Sequence, residues 1–369
     1  MGTDPPPDDA VTGVEDIGRD PVGVRVDSAG SLIAALPALL GFVPHRSLVA
    51  ALVSNENSPG GEVQRMIRAV VRFDIDAITE SASVQESVEL LKSVHQSEDI
   101  TSTMIVVVDD RSTATETAQH AVRLLRAAAI DLTHAWLVPS ITAEARYRDL
   151  LNMTRRGAVP DPRTSPVTFA QVLHGTQIYG SREELAGLIS PDSDLADHVG
   201  ARLSAAAEFY RQCLDDAVRT DDVLAHRRTL VNWVLTQIDR STESILAAAD
   251  LASLVVVLRD VFVRDIAFGL AATPYAAAAE RLWVRVARAS RGSDRANTAV
   301  LCGYSAYYRG DTVTAAIFLD AALNADASHP MAVLLDTAVR NGIPPDRIRE
   351  LAVLGCEIAT ELGLDTKLS

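Results

Sequence analysis

The chain has 369 residues, of which 48% are hydrophobic, 22% charged and 5% aromatic, and its net charge is −15. This is the balance of a soluble globular protein long enough for two domains, each with its own core. A uniform negative field repels phosphates, which argues against non-specific nucleic-acid binding. An apolar run free of charge and of membrane-spanning length, about 18 residues, does not occur. The nearest is Leu251–Leu258, closed at once by Arg259 and Asp260. No apolar signal core follows the opening MGTDPPPDDA, so a cytoplasmic location is expected. Of the 34 basic residues only Lys92 and Lys367 are lysine, a bias read as genomic. Cys213, Cys302 and Cys356 lie far apart without CxxC spacing, which suits reduced thiols and no zinc site.

Residues 1–20 carry six acidic side chains, one arginine and three consecutive prolines, too little apolar surface to offset ordering entropy; a disordered tail is expected. In VGVRV, Val22, Val24 and Val26 alternate as in a half-buried strand. A helix follows, capped by Asp27 or Ser28, with Leu32, Ile33, Leu36, Leu39 and Leu40 on one face. Pro37 should interrupt it late, and Gly41-Phe42-Val43-Pro44 should stop it. Ser47–Val53 and Met66–Phe73 read as strands paired antiparallel across the polar loop Asn55–Gln64. Asp76–His95 reads as a helix with Ile78, Val84, Val88, Leu91 and Val94 as its stripe. Thr103–Val108, TMIVVV, is the pattern of a central strand buried on both faces. A helix at Ser112–Ala129 and a strand at Thr133–Val138 complete an α/β layer. Arg155–Pro166 reads as an irregular loop, Phe169–His174 as a short helix, and Ser181-Arg-Glu-Glu184 as a capping box.

From about Asp192 only helical periodicity remains. Leu195, Val199, Leu203, Ala206, Tyr210 and Leu214 mark one long amphipathic helix. Helices are then expected at Val223–Ile238, Glu243–Gly269, Pro274–Ser290 (the one marked for a break), Ala296–Arg309, Thr312–Asn324, His329–Asn341 and Pro345–Leu362. Gly303, Ala315, Leu319 and Ala322 keep the spacing of a tetratricopeptide-like hairpin, with the closing proline late at Pro330. One repeat makes no solenoid, so a lone hairpin docked on the bundle is expected. The expected fold class is thus α/β + α. An N-terminal α/β domain with a mixed sheet spans 21–190, and an all-α helical domain spans 191–365.

LPALLGFVPHRSLV at residues 36–49, within Leu32–Val49, resembles the opening of an actinobacterial family of unknown function. Its members begin with a proline, an L-L-G-F turn, a second proline and S-L-V. Gly157–Pro166 (GAVPDPRTSP), Gly180–Leu188 (GSREELAGL) and residues 309–335 resemble it too, so the likeness runs from residue 22 to about 345. Many relatives carry a cysteine pair before the loop matching Gly157, whereas this chain reads LNMTRRGAVP there, so no metal or redox role carries over. The resemblance implies a two-part intracellular protein and transfers no activity.

Three candidate sites emerge. Asp109-Asp110-Arg111 ends the buried strand, where α/β sheets collect ligands and paired carboxylates can hold Mg²⁺. The alternative is that Asp110 caps the next helix while Asp109 is solvated. The stiff loop Asp161-Pro162-Arg163-Thr164-Ser165-Pro166 offers a forked donor and hydroxyls, or else a connector in which Arg163 pairs with Asp161. Trp283, Tyr304, Tyr307 and Tyr308 can form a groove for a partner peptide, or fill the interhelical core. The eight histidines lack metal-binding spacing, and His45 reads as a turn residue. Neither G-x-S-x-G nor G-x-x-x-x-G-K-[ST] occurs. Arg309-Gly310-Asp311 reads as a turn between helices. No cofactor is expected.

The expected function is a non-enzymatic interaction or regulatory module. It would bind a protein partner through its helical half, without nucleic acid or membrane, and is compatible with a homo-oligomer. The alternative is a metal- or nucleotide-dependent enzyme using Asp109, Asp110 and Arg163.

Overall fold

The computed structural model describes residues 24–25, 28–57, 63–76, 88–89, 91–92, 100–173 and 177–364. The acidic tail, most of the loop after Asn57 and most of the expected Asp76–His95 helix, with Ile78, Val84 and Val94, lie outside these residues.

Among the described residues seven strands form one mixed sheet in the order β1-β3-β2-β4-β5-β6-β7. They are β1 (Val24–Arg25), β2 (Ser47–Asn57), β3 (Val63–Asp74), β4 (Ser102–Val108), β5 (Leu132–Val138), β6 (Arg146–Asp149) and β7 (Arg156–Ala158). Only β4 and β5 run parallel; every other neighbouring pair is antiparallel. The parallel pair needs a crossover helix, which α2 (Ala114–Ala127) supplies.

The period-2 alternation sorts the apolar side chains to two faces. Val49, Ala51, Val106, Val108, Trp136 and Val138 face the core shared with α1 (Ala29–Leu40). Leu48, Ala50, Leu52, Ile105, Val107 and Leu137 face α2, together with Val88 and Leu91. All seven residues of β4 are buried, as the TMIVVV run requires of a strand covered on both sides.

Ser28 starts α1 by accepting a hydrogen bond from the Ser31 amide at 3.1 Å. Leu32, Ile33, Leu36 and Leu40 are fully buried, each contributing roughly 1.5–3 kcal/mol through removal from water. Pro37 does not interrupt α1. The helix runs through it to Leu40, because one missing donor costs less than exposing this buried face. Gly41 ends the helix at φ 72°, the left-handed region open to glycine. The chain then leaves through Phe42, and Val43 donates to the Tyr179 carbonyl at 2.9 Å while Tyr179 donates to the Gly41 carbonyl at 2.8 Å. The L-L-G-F turn is thereby tied to the segment before Ser181.

Two strands arise where none was expected. Residues 146–149 carry no strand pattern yet form β6, and the stretch after Arg155, irregular by its sequence, begins as β7, followed by a 3-10 turn over Pro162–Thr164. Gly157 is obligatory in that hairpin, since a Cβ there would collide with the Tyr147 phenol.

Helices follow at α3 (Pro166–Leu173) and α4 (Arg182–Gly187). Ser181 caps α4 by accepting from the Glu184 amide, while the Glu184 carboxylate accepts from the Gly180 amide at 2.7 Å, one residue short of a strict capping box. From Ser193 onward every described element is helical. The order is α5 (Ser193–Arg219), α6 (Val223–Glu243), α7 (Ala248–Val257), α8 (Val261–Gly269), α9 (Ala276–Arg288), α10 (Gly292–Tyr308), α11 (Thr312–Ala325), α12 (Pro330–Arg340), α13 (Pro345–Ile348) and α14 (Glu350–Glu361). The break marked for Pro274–Ser290 is absent, as α9 is continuous. It falls instead in Glu243–Gly269, where Asp260 starts α8 by accepting from the Phe262 amide at 2.9 Å. The fold is therefore α/β plus α.

Two crossings in the helical region depend on missing side chains. A Cβ on Gly303 of α10 would lie 2.8 Å from Leu319 Cγ of α11. Gly269 of α8 and Gly355 of α14 meet backbone to backbone: a Cβ on Gly355 would lie 2.7 Å from the Gly269 nitrogen. Arg309-Gly310-Asp311 is a turn, with Gly310 at φ 87°. Asp311 then caps α11 through the Thr314 amide at 3.0 Å. No helix among the described residues is long and apolar enough to cross a membrane.

Candidate functional site

The parallel β4–β5 pair ends with both carboxyl termini on one side of the sheet, beside the first turn of α2. A cleft of about 670 Å³ opens there. Its walls are the β4 end (Asp109, Asp110, Arg111), the α2 start (Ser112, Ala114, Thr115), the β5 end (Leu137, Pro139) and the β6–β7 hairpin (Arg146, Tyr147, Arg148, Arg156).

Asp109 is neither solvated nor free for a metal. It is buried, and Arg111 encloses it. The guanidinium donates from Nε to Oδ1 and from Nη2 to Oδ2, each at 2.9 Å, and the Arg111 amide donates to Oδ1 at 3.1 Å. The remaining Nη1 donates to Asp76 at 2.8 Å. Burial alone would raise the Asp109 carboxyl, but these hydrogen bonds and the charge of Arg111 outweigh it and hold the group below the usual carboxylate range. Asp110 does not cap α2 either: the residue at that position is Thr113, which makes no side-chain cap. Asp110 is exposed on the cleft wall.

The hairpin supplies what the sequence reading missed. Arg146 and Arg148 are two apart on β6 and share a face, and Arg148 is register partner to Arg156 on β7. Three arginines thus line one wall. Like charges directly opposite one another destabilise a strand pair. Arg148 finds one neutral partner, donating to the Thr115 hydroxyl. Arg146 and Arg156 are exposed, and among the described residues their side chains have no hydrogen-bond or ion-pair partner. The start of α2, with its unfilled cap, adds outward-pointing amides and a positive dipole end. Within a chain of net charge −15, this is a local concentration of positive charge. The alternation Arg-Tyr-Arg at 146–148 followed by Arg155-Arg156 was the available signal, because period-2 spacing puts like side chains on one face.

The second loop does not converge on this cleft. Asp161, Arg163 and Ser165 are not part of its walls. Arg163 pairs with its own Asp161, Nη2 to Oδ2 at 2.8 Å, and is largely exposed. Ser165 is buried, and Thr168 donates to the Pro162 carbonyl at 2.8 Å. The loop is a self-paired connector leading into α3. His45 sits exposed in the turn before β2, where its carbonyl accepts from the Ser47 hydroxyl.

The aromatic groove is corrected as well. Trp283, Tyr304 and Tyr307 are among the largest fully buried side chains of the molecule. Tyr304 meets Phe268 edge-on at 5.0 Å and donates to the Ile348 carbonyl at 3.2 Å. Tyr307 donates to the Ile343 carbonyl at 2.5 Å. Their hydroxyls are satisfied by backbone, so apolar burial and hydrogen bonding agree on a core role. Only Tyr308 is part-exposed, and Arg349 lies over its ring at 5.4 Å. Among the described residues no group of three or more His, Cys, Asp or Glu side chains is gathered for a metal ion.

Fold and site together define a sheet-based protein with an arginine-walled cleft at the end of the parallel β4–β5 pair. The family model for a domain of unknown function, DUF4192, matches residues 30–346, and the chain belongs to that family. Neither a curated protein nor a solved structure matches it.

Proposed function

We propose that the chain is a ligand-binding protein that holds a small anionic molecule in the cleft at the ends of β4 and β5. One observation carries this reading: three arginines share one face of the β6–β7 hairpin, two of them unpaired among the described residues, in a molecule that is otherwise strongly acidic. Such an arrangement costs stability when empty and is relieved by an anion. The volume, about 670 Å³, suits a small molecule rather than a polymer. Asp109 and Arg111 act as the rigid floor, not as ligands, because they satisfy each other. The helical region from about residue 191 is read as a second module that backs the sheet.

The test is binding of pyrophosphate, followed by calorimetry and by thermal shift. The intact chain should bind it, with affinity falling as salt rises. Arg146→Ala combined with Arg156→Ala should weaken it at least about tenfold, since each charged hydrogen bond contributes about 1.5–3 kcal/mol. Equal binding by chain and variant would sink the proposal.

A second reading keeps a protein partner on the helical side. It rests on the exposed apolar pairs Val333-Leu334 of α12 and Val353-Leu354 of α14. Charged replacements at these positions would then abolish co-purification of a partner without touching pyrophosphate binding.

A further inference from the structure

Taking the anion-binding reading of the cleft as its basis, we infer that the ligand is a phosphate ester bearing vicinal hydroxyls. Its phosphate lies on the arginine hairpin and its hydroxyls on Asp110. The argument starts from the two aspartates at the end of β4. They are chain neighbours and both reach the cleft, yet only Asp109 is closed off by Arg111, at 2.9 Å. Asp110 is exposed and, among the described residues, its carboxylate has no ion-pair partner. On the far wall Arg146 and Arg156 are equally unengaged. An unpaired acid and unpaired bases that line one cleft without meeting are held apart by the fold.

The sheet order says what separates them. Between β4 and the hairpin strands lies β5, whose end contributes Leu137 and Pro139 to the cleft. Two to three strand spacings of about 4.8 Å set the backbones roughly 10–14 Å apart. Side chains reaching inward from both walls leave a gap the length of a small phosphorylated molecule, with an apolar strip beneath its middle.

The chemistry at each end then selects the ligand. Opposed guanidiniums, with the Thr115 hydroxyl and the first amides of α2 nearby, suit a tetrahedral dianion with several acceptor oxygens. A carboxylate accepts but does not donate, so Asp110 selects donors and repels a second anionic group. Vicinal hydroxyls present two donors in the spacing of its two oxygens. A sugar phosphate and a nucleoside monophosphate share this chemistry, and the experiment separates them.

The full chain is titrated calorimetrically with inorganic phosphate, ribose 5-phosphate, 2-deoxyribose 5-phosphate, adenosine monophosphate and phosphoethanolamine. Ribose 5-phosphate or adenosine monophosphate should bind at least about tenfold tighter than inorganic phosphate, the worth of a good charged hydrogen-bond pair. Whichever of the two binds more tightly identifies the source. The 2-deoxy sugar should lose most of that advantage. In Asp110→Ala the advantage should vanish while phosphate itself binds no more weakly, because a repelling charge has gone. Asp110 is exposed and its side chain makes no hydrogen bond or ion pair among the described residues, so this variant keeps its fold.

If phosphate binds but the hydroxyl-bearing esters bind no better, the inference is overturned while the cleft stands. Tighter binding of phosphoethanolamine overturns it in favour of an amine. An advantage that requires Mg²⁺ also overturns it, because Asp110 would then be a metal ligand. If none of these probes binds while pyrophosphate does, this inference falls and the cleft reading stands; if pyrophosphate fails as well, both fall.

Discussion

Asp109 and Arg111 illustrate how two adjacent residues can look like chemistry and serve as architecture. The carboxylate is buried at the end of β4, and the guanidinium two residues on folds back over it through Nε and Nη2 while the Arg111 amide adds a third hydrogen bond. Losing the charge in Asp109→Asn should cost about 2 kcal/mol at pH 7, the worth of one charged hydrogen bond. The sign with pH follows from the depressed carboxyl. A group held below its unfolded value stabilises above about pH 4 and loses that contribution as pH falls through the folded value. Thermal midpoints of wild type and Asp109→Asn should therefore differ at pH 7 and converge below about pH 4; a constant gap would mean that the ion pair is not the cause. The sequence marks these residues as special but not their role. Nothing in Asp-Asp-Arg says which aspartate the arginine will choose, since that depends on burial at the strand end.

At the level of elements, strands with two buried faces and helices with one apolar stripe were legible. The β6–β7 hairpin was not, because its strands are four and three residues long and carry arginine where a strand pattern would show apolar residues. The strand character of β6 comes from pairing to β5, and that of β7 from pairing to β6, which is tertiary context and not local pattern. The opposite case is the crossing of α8 and α14. Gly269 and Gly355 are plain glycines inside helical patterns, where glycine costs about 1 kcal/mol relative to alanine. They persist because their backbones touch: a Cβ on Gly269 would lie 2.9 Å from the Cys356 nitrogen. Gly355→Ala should thus destabilise by about 2–3 kcal/mol, the reverse of what helix propensity alone gives, and denaturant unfolding reads the sign directly. At Gly303 the obstacle is the Leu319 side chain, from Cγ outward, and not backbone; a rotamer change can relieve part of that overlap, so alanine there should cost less than at Gly355.

For the whole molecule, the change of rhythm near residue 190 is real in secondary structure, yet the apolar core does not stop there. One contiguous cluster runs from Leu32 and Val106 through Leu185, Val231 and Trp283 to Leu364. Arg295 of α10 adds a polar tie across the same seam. It is buried, and it donates to the Ala287 carbonyl at 2.8 Å and to the Ile189 carbonyl at 2.7 Å. A cation is thereby placed at the ends of α9 and of the α4 region, where helix dipoles favour it. Arg295→Met should cost about 2–4 kcal/mol, because two buried carbonyls lose their donor. It should lower one shared calorimetric transition rather than split it into two.

The opposed arginines of the hairpin have a consequence for how the protein answers to its solvent. Ionic strength acts on the empty and the occupied forms in opposite senses. Added electrolyte shields guanidinium from guanidinium and so eases the vacant hairpin, while it also shields those same groups from an incoming anion. Melting curves recorded across a salt gradient should then draw together, with the gap that the ligand opens at low salt closing as the medium grows more concentrated.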